Sequence, residues 1–179
     1  MKPALLNLRR SSARFPSQAL LAFASVKLIA QLCMVMLPFG VKWAQAQETR
    51  IFAEGIPLTE SLLADARTLG VAHSERIRLL KVDVVPMPLN SLLLAVAKIS
   101  GLHSPTTAGM ALRYGIYIQQ DYWGSCHIIA HECVHTTQYE RLGGFRPFLK
   151  LYIQECIEQG YPQSPLEREA ILRSAELVR

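Results

Sequence analysis

Half of the 179 residues are hydrophobic, enough for a single core in one domain. The formal charge of +5 is lopsided: residues 1–46 hold six basic groups (Lys2, Arg9, Arg10, Arg14, Lys27, Lys42) and no acidic ones, so 13 Lys and Arg stand against all 14 acidic residues in the remainder. A body of charge −1 lacks the basic face that phosphate neutralisation demands, which argues against a nucleic-acid partner.

The first 46 residues predict a targeting segment. A basic stretch through Arg14 precedes an apolar run from Leu28 to Val41, and Ala44-Gln45-Ala46 supplies a small-x-small cleavage signal, so export with a mature chain beginning at Gln47 is expected. The alternative is a retained anchor, with membrane association through residues 28–41. That run falls short of the roughly 20 residues needed to span a bilayer unless Lys27 and Lys42 snorkel at its ends. Cys33 follows Ala30-Gln31-Leu32, without the small residue expected before a lipidated cysteine.

Gln47 to Pro57 reads as a linker or extended entry segment. Thr59 then caps a helix with apolar positions Leu62, Leu63, Ala66 and Leu69, stopped by Gly70. Alternation and β-branching from Ile77 to Pro86 predict a strand, and Asn90 caps a second helix over Ser91 to Ser100, closed by Gly101. Leu102 to Gly109, which includes His103, is turn-forming material. Met110 to Gln119 follows as one strand or a tight hairpin. From Asp121 the period becomes helical as far as Leu142, where Gly143-Gly144 end it. Pro147 starts a further helix through Gln159 with Gly160 as its stop, and Ser164-Pro165 opens the last one.

The chemistry lies in His131-Glu132-Cys133-Val134-His135. Two histidines four residues apart project from one helix face, about 40° apart around the axis, so both imidazoles can reach one ion. Glu132 stands about 100° from His131 and 60° from His135, beside that face, where it can hold a metal-bound water without ligating the metal. A zinc ion so placed lowers the pKa of its water to about 7, and a neighbouring carboxylate can take the proton as the oxygen attacks a carbonyl. Ile128, Ile129, Ala130, Cys133 and Val134 are uncharged around the motif, as in a helix buried at the centre of a domain.

From Ser125 to Ala170 the chain resembles the gluzincin class of zinc metallopeptidases, in which the third protein ligand is a Glu on a later helix, often within E-x-E-A-D. Here Glu167-Arg168-Glu169-Ala170-Ile171 lies 32 residues after the second histidine. The resemblance implies Zn2+ held by His131, His135 and Glu167, with Glu132 as general base and Glu169 as the fallback ligand. Ile171 departs from the pattern: many members have an Asp there that orients a ligating imidazole. Ser164-Pro165-Leu166-Glu167 also fits a capping box, a competing role for Glu167. The absence of a histidine after His135 excludes the three-histidine variant.

His127, one turn upstream, suits a pocket or a supporting role better than ligation, because three consecutive histidines at this spacing cannot converge on one tetrahedral ion. Gln138 and Leu142 continue the stripe as pocket lining or packing. Tyr114, Tyr117, Tyr139 and Tyr161 are candidates for stabilising an oxyanion. His73, Arg141 and Arg146 read as solvated surface groups. Cys126, Cys133 and Cys156 read as small buried hydrophobes, with a Cys126–Cys156 bridge left open.

The expected architecture is a small α+β, zincin-like domain over 47–179: a sheet of the 77–86 and 110–119 strands packed on the motif helix, with two later helices returning Glu167. By the resemblance, Tyr114 to Gln119 would line the cleft and pair with a peptide or protein substrate. Two other readings remain: a non-catalytic zinc-stabilised binding domain, exported or membrane-anchored, and a membrane-anchored interaction module with an accidental motif.

Overall fold

The computed structural model describes residues 17–88 and 107–177, with side chains from Leu28 onward. The helix expected over 91–100 and the loop carrying His103 lie outside these residues. Helix α1 (Ser17–Glu54) leads into a short strand β1 (Ile56–Pro57), helix α2 (Glu60–Thr68) and strand β2 (Arg78–Val82). Strands β3 (Gly109–Leu112) and β4 (Gly115–Gln119) form a hairpin, followed by helices α3 (Cys126–Leu142), α4 (Phe145–Gln159) and α5 (Pro165–Leu177). The architecture is mixed α+β, with one sheet in the order β1-β2-β4-β3.

The expected linker over 47–57 is instead the end of α1 followed by β1. Ala44, Glu48 and Ile51 are spaced 4 and 3 residues apart, so they share a helix face, and all three are buried. Ile51 lies on Gly115, where a Cβ would come within 3.0 Å of its Cδ1. Gly55 is equally confined, because a Cβ there would meet the Ile51 carbonyl oxygen at 2.5 Å and that of Leu79 at 2.9 Å. The polar string Gln-Glu-Thr-Arg disguised a helix that forms because one side of it meets a sheet.

Thr59 caps α2 as expected, accepting from the Leu62 N–H at 3.4 Å; the motif helix, expected from Asp121, is instead capped by Ser125, which accepts from the Ile128 N–H at 3.4 Å. The motif helix starts at Cys126, after a 3-10 turn over Gln120–Tyr122, and Gly143 ends it in the left-handed conformation at φ 89°. The strand expected over 77–86 is cut back to Arg78–Val82.

β4 is antiparallel to β3 and parallel to β2, with Ile116 opposite Leu79. Its Ile116, Tyr117 and Ile118 are all fully buried, as in a strand covered on both faces. Ile116 and Ile118 pack with Ile129, Ala130, Cys133 and Val134 of α3, while Tyr117 packs with Ala44 and Ile51 of α1. The sheet is therefore held between α3 and α1. This corrects the expectation that Tyr114 to Gln119 borders the cleft as a pairing edge: both its neighbours are already strands. The strand beside α3 with no partner on its outer side, among the described residues, is β3.

Candidate metal centre and active site

α3 carries His131 and His135 one turn apart, and α5 packs across α3 to deliver Glu167. The two Nε2 atoms are 3.1 Å apart, and the Glu167 carboxylate oxygens lie 3.4 Å from His131 Nε2 and 3.2 Å from His135 Nε2. Four ligands held tetrahedrally at zinc distances of about 2.0–2.1 Å are separated by about 3.3–3.4 Å, so three corners of such a shell are present here. These three residues can hold a metal ion.

The three side chains are bonded to one another. Although burial opposes its charge, hydrogen bonds from His131 and His135 hold the Glu167 carboxyl well below the usual carboxylate range. Burial likewise disfavours a charged His135, yet its bond to Glu167 outweighs this and raises the pKa to about 9. Glu167 also accepts a hydrogen bond from the Tyr152 hydroxyl. The capping-box reading of Glu167 is half right: its backbone N–H meets Ser164 Oγ at 3.4 Å, but its carboxylate turns to the histidines.

Glu132 is only 5% exposed. Burial raises its pKa first, partly offset by the charges of His131 and His135, and the Ala111 N–H of β3 donates to its carboxylate. Gly109, read from sequence as turn material, matters for a steric reason. A Cβ there would come within 2.8 Å of Glu132 Oε1 and 2.9 Å of Cγ, so only glycine leaves the carboxylate its place. Nothing local in the sequence marks this contact.

Gln138 holds the His135 ring in place. Its Oε1 is 2.8 Å from His135 Nδ1, and its Nε2 donates to the Leu166 carbonyl at 2.9 Å and to Glu169 Oε2 at 3.1 Å. Anchored on both sides, the amide oxygen fixes the ring with Nε2 toward the other donors. Gln138→Leu is expected to weaken metal affinity by about 10- to 100-fold while leaving the ligands themselves intact. Competition titration with a chromogenic chelator measures it; an unchanged affinity would remove the orienting role. The i, i+3 spacing of His135 and Gln138 was the signal available in the sequence.

Glu169, the fallback ligand, is engaged elsewhere. Arg141 binds both its oxygens at 2.8 Å and Arg173 adds a contact at 3.2 Å. The hydrogen bond from Arg141 is the main cause of a carboxyl pKa lowered to about 2. Arg141 is thus a partner in an ion-pair cluster, contrary to its reading as a merely solvated group.

Of the four candidate tyrosines, Tyr114 donates to Glu140 and Tyr117 to Gln47, both at 3.0 Å and away from the triad. Tyr139 is buried with its ring stacked on Phe148 at 3.7 Å. Tyr161 lines the cavity over the triad, where burial first and then the charges of Glu167 and Glu132 push its pKa up. His127 stands exposed at the same cavity, outside the converging set. His73 is a surface group beside Glu75. All four cysteines are free; Cys33, Cys133 and Cys156 are buried, but Cys126 is exposed rather than buried as expected.

The cavity over the triad has a volume of about 470 Å3 and a largely apolar lining. Comparison of the chain with protein families, curated proteins and solved structures finds no match in any of the three.

Proposed function

We propose that this protein is a zinc-dependent metallopeptidase that hydrolyses peptide bonds, with His131, His135 and Glu167 holding the ion and Glu132 acting as general base. The observation that carries this reading is the pairing of a three-cornered donor shell with a buried carboxylate that belongs to none of its corners. Zinc in such a shell lowers the pKa of its water to about 7 and polarises a carbonyl. Glu132 accepts a proton at its carboxylate and hands it to the leaving amine. Tyr161, beside Glu167 and in the cavity, is the candidate donor to a developing oxyanion.

The outer side of β3 supports a peptide substrate. The Gln119 N–H donates to the Ala108 carbonyl at 2.8 Å, and ladder alternation from that pair turns the N–H and C=O of Gly109 and the C=O of Ala111 outward from β4, while the outward Ala111 N–H is the one that meets Glu132. An extended peptide can add there as a further strand. A wholly structural zinc site has no need of a base and normally fills all four positions with protein groups, which favours catalysis over a binding scaffold.

Membrane association belongs to the same proposal. α1 is long and apolar enough to cross a bilayer over Leu28–Glu54, by length and composition. Leu28, Leu32, Val35 and Phe39, spaced 4, 3 and 4 residues apart, leave one apolar stripe of it exposed.

The test is metal removal. Full-length protein loaded with one equivalent of zinc should cleave a mixture of unfolded peptides, lose that activity after chelation, and regain it when zinc returns. Protein that holds a full equivalent and cleaves nothing would sink the enzymatic reading.

A further inference from the structure

The apolar helix that reads in sequence as a detachable leader is built into the cleft. Cys33, Met36, Leu37, Gly40, Trp43 and Ala44 of α1 line the same cavity as His131, Glu132, His135 and Glu167. Cys33 and Leu37 are buried against Ile153 of α4, flanked by Leu149 and Ile157. On the other side of the Ala46–Gln47 bond, Glu48 accepts the Tyr114 N–H at 3.2 Å and Gln47 accepts the Tyr117 hydroxyl at 3.0 Å. Both halves of the helix are therefore seated on the domain. Ala44, the first residue of the small-x-small signal, is 1% exposed. Severing the chain after Ala46 would strip one wall from the cavity and bare the apolar side of α4.

The chemistry of that wall points to what it contacts. Among the described lining residues there is no Lys, Arg or Asp, and the only two carboxylates are Glu132 and Glu167 of the centre itself. An entering carboxylate would lose its water and meet Glu132 and Glu167, and a basic side chain would meet only these two carboxylates, both engaged in the centre, whereas a large apolar one would exchange water for Met36, Trp43 and Phe148.

We infer that α1 is retained as a wall of the substrate cleft, and that the cavity accepts a large aliphatic or aromatic side chain of the bound peptide. The inference takes its peptide from the metallopeptidase reading, but the retention of α1 and the apolar preference are measured without turnover.

Two measurements on the full chain test it. N-terminal sequencing of the protein from membranes of an exporting host should find residues 28–46 still attached; a mature N-terminus at Gln47 overturns the inference. Affinities of end-blocked peptides, carrying Phe or Ala at each position in turn, are then measured on zinc-loaded Glu132→Gln protein, which binds without hydrolysing. Phe should bind on the order of 10-fold or more tighter than Ala at one position. Gly40→Leu, added to that background, fills the cavity from the α1 side and should erase the preference. Met36→Ala, which only removes bulk, should keep it and admit Trp better than before. Equal binding of Phe and Ala peptides overturns the inference, as does a preference unchanged in both variants when zinc content and Tm are normal. Should Gly40→Leu fail to fold, Met36→Ala decides alone through the Trp peptide: Trp binding no tighter than in the parent protein overturns the inference. A clear Phe preference in protein whose wild type cleaves no peptide would keep the cleft and discard the peptidase.

Discussion

Glu132→Gln is expected to retain a full equivalent of zinc and the native Tm while peptide hydrolysis falls by about 10²- to 10⁴-fold, the usual cost of losing a general base. The reason is positional. Glu132 shares a helix with both histidines but lies outside the donor group they form with Glu167, so the amide does not disturb ligation. Gln is nearly isosteric, and its carbonyl oxygen can still accept the Ala111 N–H that reaches the carboxylate. What disappears is the proton acceptor. Wild type, Glu132→Gln and metal-stripped protein are compared on the same peptides, with zinc measured on each sample. A variant that hydrolyses as fast as wild type would remove Glu132 from the mechanism; one that loses its zinc would make it a ligand.

Glu167→Ala is expected to empty the site, with a loss of metal affinity greater than the 10- to 100-fold typical of residues that only orient ligands. It removes one corner of the shell and leaves the Tyr152 hydroxyl without its acceptor in a buried place. Because metal binding contributes to folding free energy, Tm should fall as well, and added zinc should no longer raise it. Glu169→Ala is the contrast. Its carboxylate serves Arg141, Arg173 and Gln138, so zinc should stay within a few-fold of wild type, and the lost ion pairs should cost at most about 1 kcal/mol. Metal analysis and thermal melts of the two variants decide between the carboxylates. A zinc-free Glu169→Ala beside a zinc-loaded Glu167→Ala would reverse the assignment.

Local pattern alone determined a good deal. The cap at Thr59, the stop at Gly143 and the mixed α+β character were all readable, because each rests on a few neighbouring residues and a backbone preference. The i, i+4 spacing placed His131 and His135 on one face by helix geometry, with no help from the rest of the chain. Everything that makes a three-donor group of them is tertiary. Glu167 arrives from α5, 32 positions after His135, and the sequence also offered it a local partner in Ser164. Gln138 looked like packing until α5 supplied the Leu166 carbonyl that anchors its amide. Gly109 looked like turn material, since only the approach of β3 to α3 gives its missing Cβ a meaning. The border of the cleft was misplaced for the same reason: β3 and β4 both read as strands, and which of them lies outermost depends on β2 pairing with β4. The clearest divide is α1. Its apolarity, basic approach and small-x-small signal are properties of the chain by itself, and they describe a leader. Its seat against α4 and the sheet is decided by where Ala44, Glu48 and Ile51 meet partners, and helical spacing cannot say what lies opposite the face it creates.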